Sequence, residues 1–278
     1  VIEERFRARN IIPYILLLVL TSPLLIGYLW LVIATFSRQT FGLRPAGLTL
    51  ANWQFLGTFD SWENSIWRVT FNTFVLAGAL SIVVVTLSAL AGYSLSRLDF
   101  IGRRSFMSLT LMLHAFPSVT LLIAIYFVLR ELRLYNTIAG VILVKVALEM
   151  PLGMWLMKGF FDNVPWDIER AAMVDGASRL RIWWQIVLPL IRPGIAALAI
   201  FSFISGWNEF LIPYTFILGR QQATLAVYLQ QLVGDSRFVD YGQVAAIGLF
   251  QMLPVLLFFL FTQRYLLNIY AGGVKGGS

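Results

Sequence analysis

Residues Lys158–Gly194 read KGFFDNVPWDIERAAMVDGASRLRIWWQIVLPLIRPG. Asp162 or Asn163 ahead of Pro165 gives a helix-start signal. Asp167 and Glu169 then fall in the first turn, where negative charge complements the helix dipole. Ile168, Ala171, Ala172 and Val174 make a short helix with a small-residue surface, and Gly176 supplies a left-handed stop. A second helix runs through Ile182, Ile186 and Val187 to Pro189, and Pro193 opens the next one. This is longer than a plain connector. Alanines let another protein approach closely while Asp175 and Gly176 fix the end, so the stretch reads as a rigid projection that a separate motor can grip. An amphipathic helix lying on a membrane is the other reading that the pattern leaves open.

On both sides of this projection the chain is strongly apolar. Its 278 residues are 59% hydrophobic and 13% charged, with a mean hydropathy of +0.78, against about 25% charged residues in a soluble domain. That balance excludes an ordinary cytosolic enzyme and a disordered chain. Apolar runs of roughly 20 residues cross a bilayer, and six are present: 11–36, 72–95, 107–129, 138–157, 194–218 and 244–265. The first is too long, and charged too early, for a cleaved secretory signal, so it reads as a span with Pro23 as a kink. The expected architecture is an all-α membrane protein of six transmembrane helices, a single transmembrane domain over residues 1–278 with a cytoplasmic loop at 158–192. With the N-terminus inside, thirteen of the 21 lysines and arginines fall on the inner side and seven on the outer, Lys145 lying within a span. That bias places both termini in the cytoplasm. The segment Ser37–Phe71 is then external, and its Trp53, Trp62 and Trp67 suit a membrane interface.

Ionisable residues within spans are costly and face a bundle interior or a water path. Lys145 and Glu149 are four apart on one helical face and can pair. Pro151, two residues on, frees a backbone carbonyl, so the helix is expected to be irregular there, where it would line a cavity. Trp207, Asn208 and Glu209 group an aromatic ring, an amide and a carboxylate, the side chains that receive a sugar's ring face and hydroxyls. With Glu149 they are the candidate substrate pathway, and a polar clamp between helices is the alternative use. His114 has no acidic neighbour at helical spacing, so it is read as a packing or hydrogen-bonding residue. Gly78 and Gly92, among alanines, give the second span small faces for close packing. The chain has no cysteine, hence no disulfide, thiolate nucleophile or cysteine-held metal. Its three lysines follow Val144, Met157 and Val274, so no phosphate-binding loop of the glycine–lysine type exists. Any ATP used must bind another polypeptide. If Glu149 and Glu209 carry protons or sodium instead, the chain is an ion-coupled secondary transporter, the alternative kept open here.

The run ERAAMVDGA followed by IVLPLIRP resembles the EAA loop of permease subunits of ATP-binding-cassette (ABC) importers, in which Glu-x-Ala-Ala precedes Asp-Gly-Ala and later Ile-x-Leu-Pro. Glu169, Ala171, Ala172, Asp175, Gly176, Ala177, Ile186, Leu188 and Pro189 match. WNEFL (207–211), LYNT (134–137) and the tail AGGVKG (271–276) are similar to the carbohydrate-uptake branch, the tail to its maltose-type G permeases. The resemblance implies a type I ABC importer fold and a multi-pass protein of a bacterial or archaeal plasma membrane. It implies that this chain is not an enzyme and forms half of a pathway for a di- or oligosaccharide. A second, non-identical permease, an ATPase dimer, an external solute-binding protein and the lipid bilayer are the implied partners, with no nucleic acid. ATP and magnesium would be held by the ATPase, and no cofactor or metal by this chain. Glu169, Ala171, Ala172, Asp175, Gly176 and Ala177 would dock the ATPase, while Gly272, Gly273, Val274, Lys275 and Gly276 would reach between its subunits. The loop from Gly219 to Gly242 would face the solute-binding protein.

Overall fold

The computed structural model describes residues 11–41, 44–57, 65–234 and 239–272. They form two compact units, one drawn from residues 1–59 and 229–254 and the other from 60–228 and 255–278.

In the smaller unit, α1 (Ile11–Thr35) continues through Pro23 without interruption. Its apolar side chains are exposed, Leu18 and Leu20 among them. An antiparallel hairpin follows, β1 (Ser37–Phe41) and β2 (Arg44–Leu48), with Ser37 opposite Leu48 and Gln39 opposite Ala46. A 3-10 turn over Ala51–Leu56 closes the segment. The stretch after the first span, expected to lie outside, is therefore partly β. Buried Asn52 donates to the Thr35 carbonyl at 3.0 Å and the Ser37 carbonyl at 2.9 Å, which ties the hairpin to the end of α1. Trp53 stacks between Phe36 and Phe55, and Trp62 lies outside the described residues.

The larger unit is built around α2 (Ile66–Arg97), which Ser65 caps by accepting from the Arg68 amide. Leu76, Ala77, Leu80 and Val84 are fully buried along it. Against it pack α5 (Ile138–Asp162) and α9 (Arg192–Trp207). The approach is close because glycines sit at the crossings: a Cβ on Gly92 would stand 2.8 Å from the Lys158 nitrogen, and one on Gly206 2.8 Å from the Ala77 Cα. Gly78 borders open space instead, so of the two glycines expected to pack helices only Gly92 does.

The third span is not the continuous helix expected over 107–129. It divides into α3 (Arg103–His114) and α4 (Ser118–Glu131), bent by 101°. Pro117 lacks an N–H and crowds the preceding turn, which drives its neighbourhood out of the helical region. Just after α4 the chain turns through Arg133 and Asn136 in left-handed conformations (φ 56° and 59°). Thr137 then caps α5 by accepting from the Gly140 amide at 3.0 Å.

Between α5 and α9 lie α6 (Trp166–Val174), α7 (Arg179–Ile182), a π-helical turn over Trp183–Val187 and α8 (Leu188–Leu190). The stretch Arg179–Leu190 meets α9 at 75°. The fifth span also departs from its expected 194–218: α9 ends at Trp207, and the chain resumes as α10 (Leu211–Phe216) after a break at Asn208–Phe210. Then come α11 (Leu225–Gly234) and α12 (Tyr241–Gly272), which runs through Pro254. Among the described residues, four helices are long and apolar enough to cross a membrane, and up to six spans result if each bent pair counts as one.

Candidate functional site

Two polar assemblies lie within the larger unit, one around α6 and one midway along α5. The first begins with how α6 is bounded. Asn163 closes α5, and extended Pro165 starts α6 with no side-chain cap, so Asp162 and Asn163 do not initiate the helix as their sequence suggested. Asp162 instead accepts from Ser96 Oγ at 2.6 Å and pairs with Lys158 Nζ at 2.5 Å. At the other end Gly176 takes φ 83°. Its amide donates to the Met173 carbonyl and the Ala177 amide to the Ala172 carbonyl, both at 3.0 Å. This paired closure of a helix end requires a left-handed residue, and glycine takes that conformation without a Cβ clash.

The predicted docking residues divide by direction. Ala171, Asp175 and Gly176 are exposed, as are Ile168, Met173, Val174, Leu180 and Trp184 around them. Ala172 is buried in a core with Val164, Phe161 and Ile182, and Ala177 packs at its edge. Glu169 turns inward and is 3% exposed. Arg97 Nε donates to its Oε1 at 2.5 Å and the Tyr93 hydroxyl to its Oε2 at 2.9 Å. The same guanidinium donates through Nη2 to the Val164 carbonyl at 2.8 Å and through Nη1 to Ser96 Oγ at 3.0 Å. It also lies over the Trp166 ring, 4.8 Å from its centroid. Arg97 and Tyr93 escaped the sequence reading. Their signal was an i, i+4 pair of polar residues on one face at the end of an apolar helix.

The second assembly centres on Lys145. Its Nζ lies 2.7 Å from Glu209 Oε2 and 3.2 Å from Glu149 Oε1. Ser205 Oγ donates to Glu149, and Glu209 Oε1 accepts from the Ile212 amide at 3.1 Å, capping α10 just after the helix break. These groups border a cavity of about 810 Å³ with His114, Ser202 and a mainly aliphatic lining. Pro151, on the same wall, leaves the Ala147 carbonyl without its helical donor. Of the four pathway candidates, Glu149 and Glu209 reach the cavity. Trp207 is buried and stacked on Phe203 at 5.9 Å, and Asn208 is exposed outside the lining. The Lys145–Glu149 pair expected from spacing is present, and Glu209 joins it. His114 Nδ1 meets the Leu148 carbonyl at 3.1 Å, the hydrogen-bonding role read for it.

In the loop from Gly219, Arg68 Nε and Asn72 Nδ2 both donate to the Gln221 carbonyl, and Gln222 Oε1 accepts from the Ile138 amide. Part of that loop thus fastens α2 and α5. Residues 235–238 lie outside the described residues, as do Gly273, Val274, Lys275 and Gly276 of the tail. Gly272 is the last residue of α12.

Apolar helices of membrane-spanning length whose charges are held in partnered clusters, with a short helix between two of them, fit a membrane transport component. The chain belongs to the family described as binding-protein-dependent transport system inner membrane component, whose model matches residues 85–268. It is a multi-pass inner-membrane ABC permease subunit, not itself catalytic. It is 31% identical over 282 residues to the diacetylchitobiose uptake system permease protein NgcG of Streptomyces coelicolor, covering 99% of this chain and 90% of that protein. The trehalose transport system permease protein SugB of Mycobacterium tuberculosis is 29% identical over 236 residues, 84% of this chain and 85% of the relative. The fold matches a chain from the crystal structure of a bacterial ABC transporter involved in the import of the acidic polysaccharide alginate. The TM-score is 0.78 at 20% identity, over 95% of this chain and 99% of that one.

Proposed function

We propose that this chain forms half of the translocation pathway of an ATP-driven importer of a di- or oligosaccharide and that α6 couples it to a separate ATPase. The observation that carries the reading is the two-sided character of α6. One side is anchored internally through Glu169, and the other presents Ala171, Val174, Asp175 and Gly176 outward. A small-residue face of that kind lets a groove on a partner close around it.

Family membership and the resemblance of its motifs support the remaining parts of the proposal. A second, non-identical permease completes the pathway, two ATPase domains hold ATP and magnesium, and an external binding protein delivers the sugar. Both termini and α6 lie in the cytoplasm, and Gly272, Gly273, Val274, Lys275 and Gly276 reach between the ATPase subunits. Relatives named for diacetylchitobiose and trehalose transport support an oligosaccharide as cargo. Closure of the ATPase pair displaces α6 and shifts the spans from inward- to outward-facing. Nucleotide drives that shift only by its differential affinity for the two states. Membership of a binding-protein-dependent family argues against the ion-coupled alternative.

The chain lacks cysteine, so a single-cysteine variant carries one thiol on this chain for a thiol-to-amine cross-linker. Val174→Cys, in the assembled transporter, is expected to cross-link to the ATPase chain. Uptake into proteoliposomes is expected to require ATP and to resist a proton uncoupler. Uptake by this chain alone, abolished by an uncoupler, overturns the reading.

A further inference from the structure

Helix α6 has nine residues and is joined to its neighbours through extended Pro165 before it and left-handed Gly176 after it. Joined only by the backbone, such a segment swings when pushed and passes little displacement to the spans. A rigid link elsewhere is needed if a push on α6 is to move them.

We propose that Arg97 is that link, a positioning residue that makes α6 and α2 move as one lever. This rests on the reading that α6 docks the ATPase. The geometry is a three-way clamp. From the last turn of α2 the guanidinium holds α6 through Glu169, the α5–α6 joint through the Val164 carbonyl, and its own helix through Ser96. Tyr93, one turn earlier, takes the other oxygen of Glu169, so the carboxylate is fixed at both oxygens and has no freedom to rotate. Trp166 covers the guanidinium face. The ion pair is about 4% exposed on each side. A buried guanidinium with directional partners resists shear, which the apolar contact of Ala172 beside it does not. Beyond the clamp, α2 is the helix against which α5 and α9 are most closely packed, with Gly92 and Gly206 at the crossings. Displacement delivered to the end of α2 therefore reaches the spans that border the Lys145 cavity.

The test uses the complete transporter in proteoliposomes and reads sugar taken up per ATP hydrolysed. Arg97→Ala and Glu169→Gln are each expected to lower that ratio at least about tenfold. The charge-exchanged double variant Arg97→Glu/Glu169→Arg is expected to recover about fivefold over the better single one, the non-additivity that marks a direct partnership. If Arg97→Ala fails to insert, Arg97→Lys serves. It keeps the charge but loses the fork, and a ratio reduced about threefold is expected. A purely structural role would lower the thermal stability of the complex and leave the ratio unchanged, which overturns the proposal. A wild-type ratio in Arg97→Lys together with an unrescued double variant overturns it as well. The Val174→Cys cross-link separates this failure from failure of the docking reading. If the cross-link forms and the ratio does not change, the clamp alone is wrong. If no cross-link forms in the otherwise native chain, α6 does not dock.

Discussion

Two buried charge clusters occupy one helical unit and are built on opposite plans. Around Glu169, one carboxylate meets one guanidinium, every partner is directional, and both side chains are about 4% exposed. Around Lys145, one ammonium serves two carboxylates, the side chains are 12–17% exposed, and the group borders a cavity of about 810 Å³. The first is a neutral, closed joint. The second carries one negative charge in excess beside space that water or a solute can enter. A closed pair fixes geometry; an open, unbalanced one answers to what enters the cavity.

That contrast predicts an order of damage. Arg97→Leu leaves the Glu169 carboxylate buried without compensation, and removing one partner of such a pair costs about 3–5 kcal/mol. Lys145→Met also strands carboxylates, but these are 12–17% exposed at the cavity, so the loss should be smaller, about 1–3 kcal/mol. Thermal unfolding of the detergent-solubilised complex measures both. If Lys145→Met proves the more damaging, the Lys145 cluster is the true structural joint and the comparison fails.

A sharper probe separates backbone from charge. Gly176→Ala forces a Cβ into a left-handed residue, at roughly 1–2 kcal/mol. Gly159→Ala, in the last turn of α5 with open space around it, should instead stabilise by up to about 1 kcal/mol. Hydrogen exchange over Trp166–Ala177 is expected to speed up in the first variant and not in the second. Equal exchange in both would mean that the Glu169 clamp alone fixes the end of α6.

What the sequence disclosed and what it hid follow from the range of the interactions. The short helix after Pro165 and its stop at Gly176 were legible because a helix end is decided within a few residues. The Lys145–Glu149 pair was legible for the same reason, one turn of one helix. Arg97 and Glu169 stand 72 residues apart, and no local pattern announces which distant carboxylate a helix-terminal arginine will find. Glu209 joins Lys145 across the fold in the same way. Proline was an ambiguous signal. Pro23, Pro151 and Pro254 all sit inside continuous helices, whereas Pro117 breaks the third span at 101°. Neighbouring packing alone does not decide which, because α1 is exposed around Pro23 and still runs through it. The hairpin after α1 was hidden because its strands are short and do not alternate apolar with polar residues. The inward turn of Glu169 was hidden as well, since a first-turn acid complements the helix dipole equally well facing either way.

The smallest expected effect concerns how the Lys145 cluster is held in place. Thr137 caps α5 by accepting from the Gly140 amide, and its hydroxyl donates to the Leu134 carbonyl at 2.7 Å. Removing such a cap costs about 1 kcal/mol. Here the Ile138 amide has a separate acceptor in Gln222 Oε1 at 2.8 Å, so the first turn keeps one of its ties and Thr137→Ala should fall at the lower end of that cost. Thr137→Ser, which retains the oxygen, should match the native chain. Exchange of the Ile138–Val141 amides reads the difference directly. Faster exchange in Thr137→Ala with unchanged sugar uptake would show that the Lys145 cluster is positioned by Glu209 and Ser205 rather than by the start of its own helix. A matching fall in uptake would show that the open cluster depends on a distant cap as strictly as the closed one depends on Arg97.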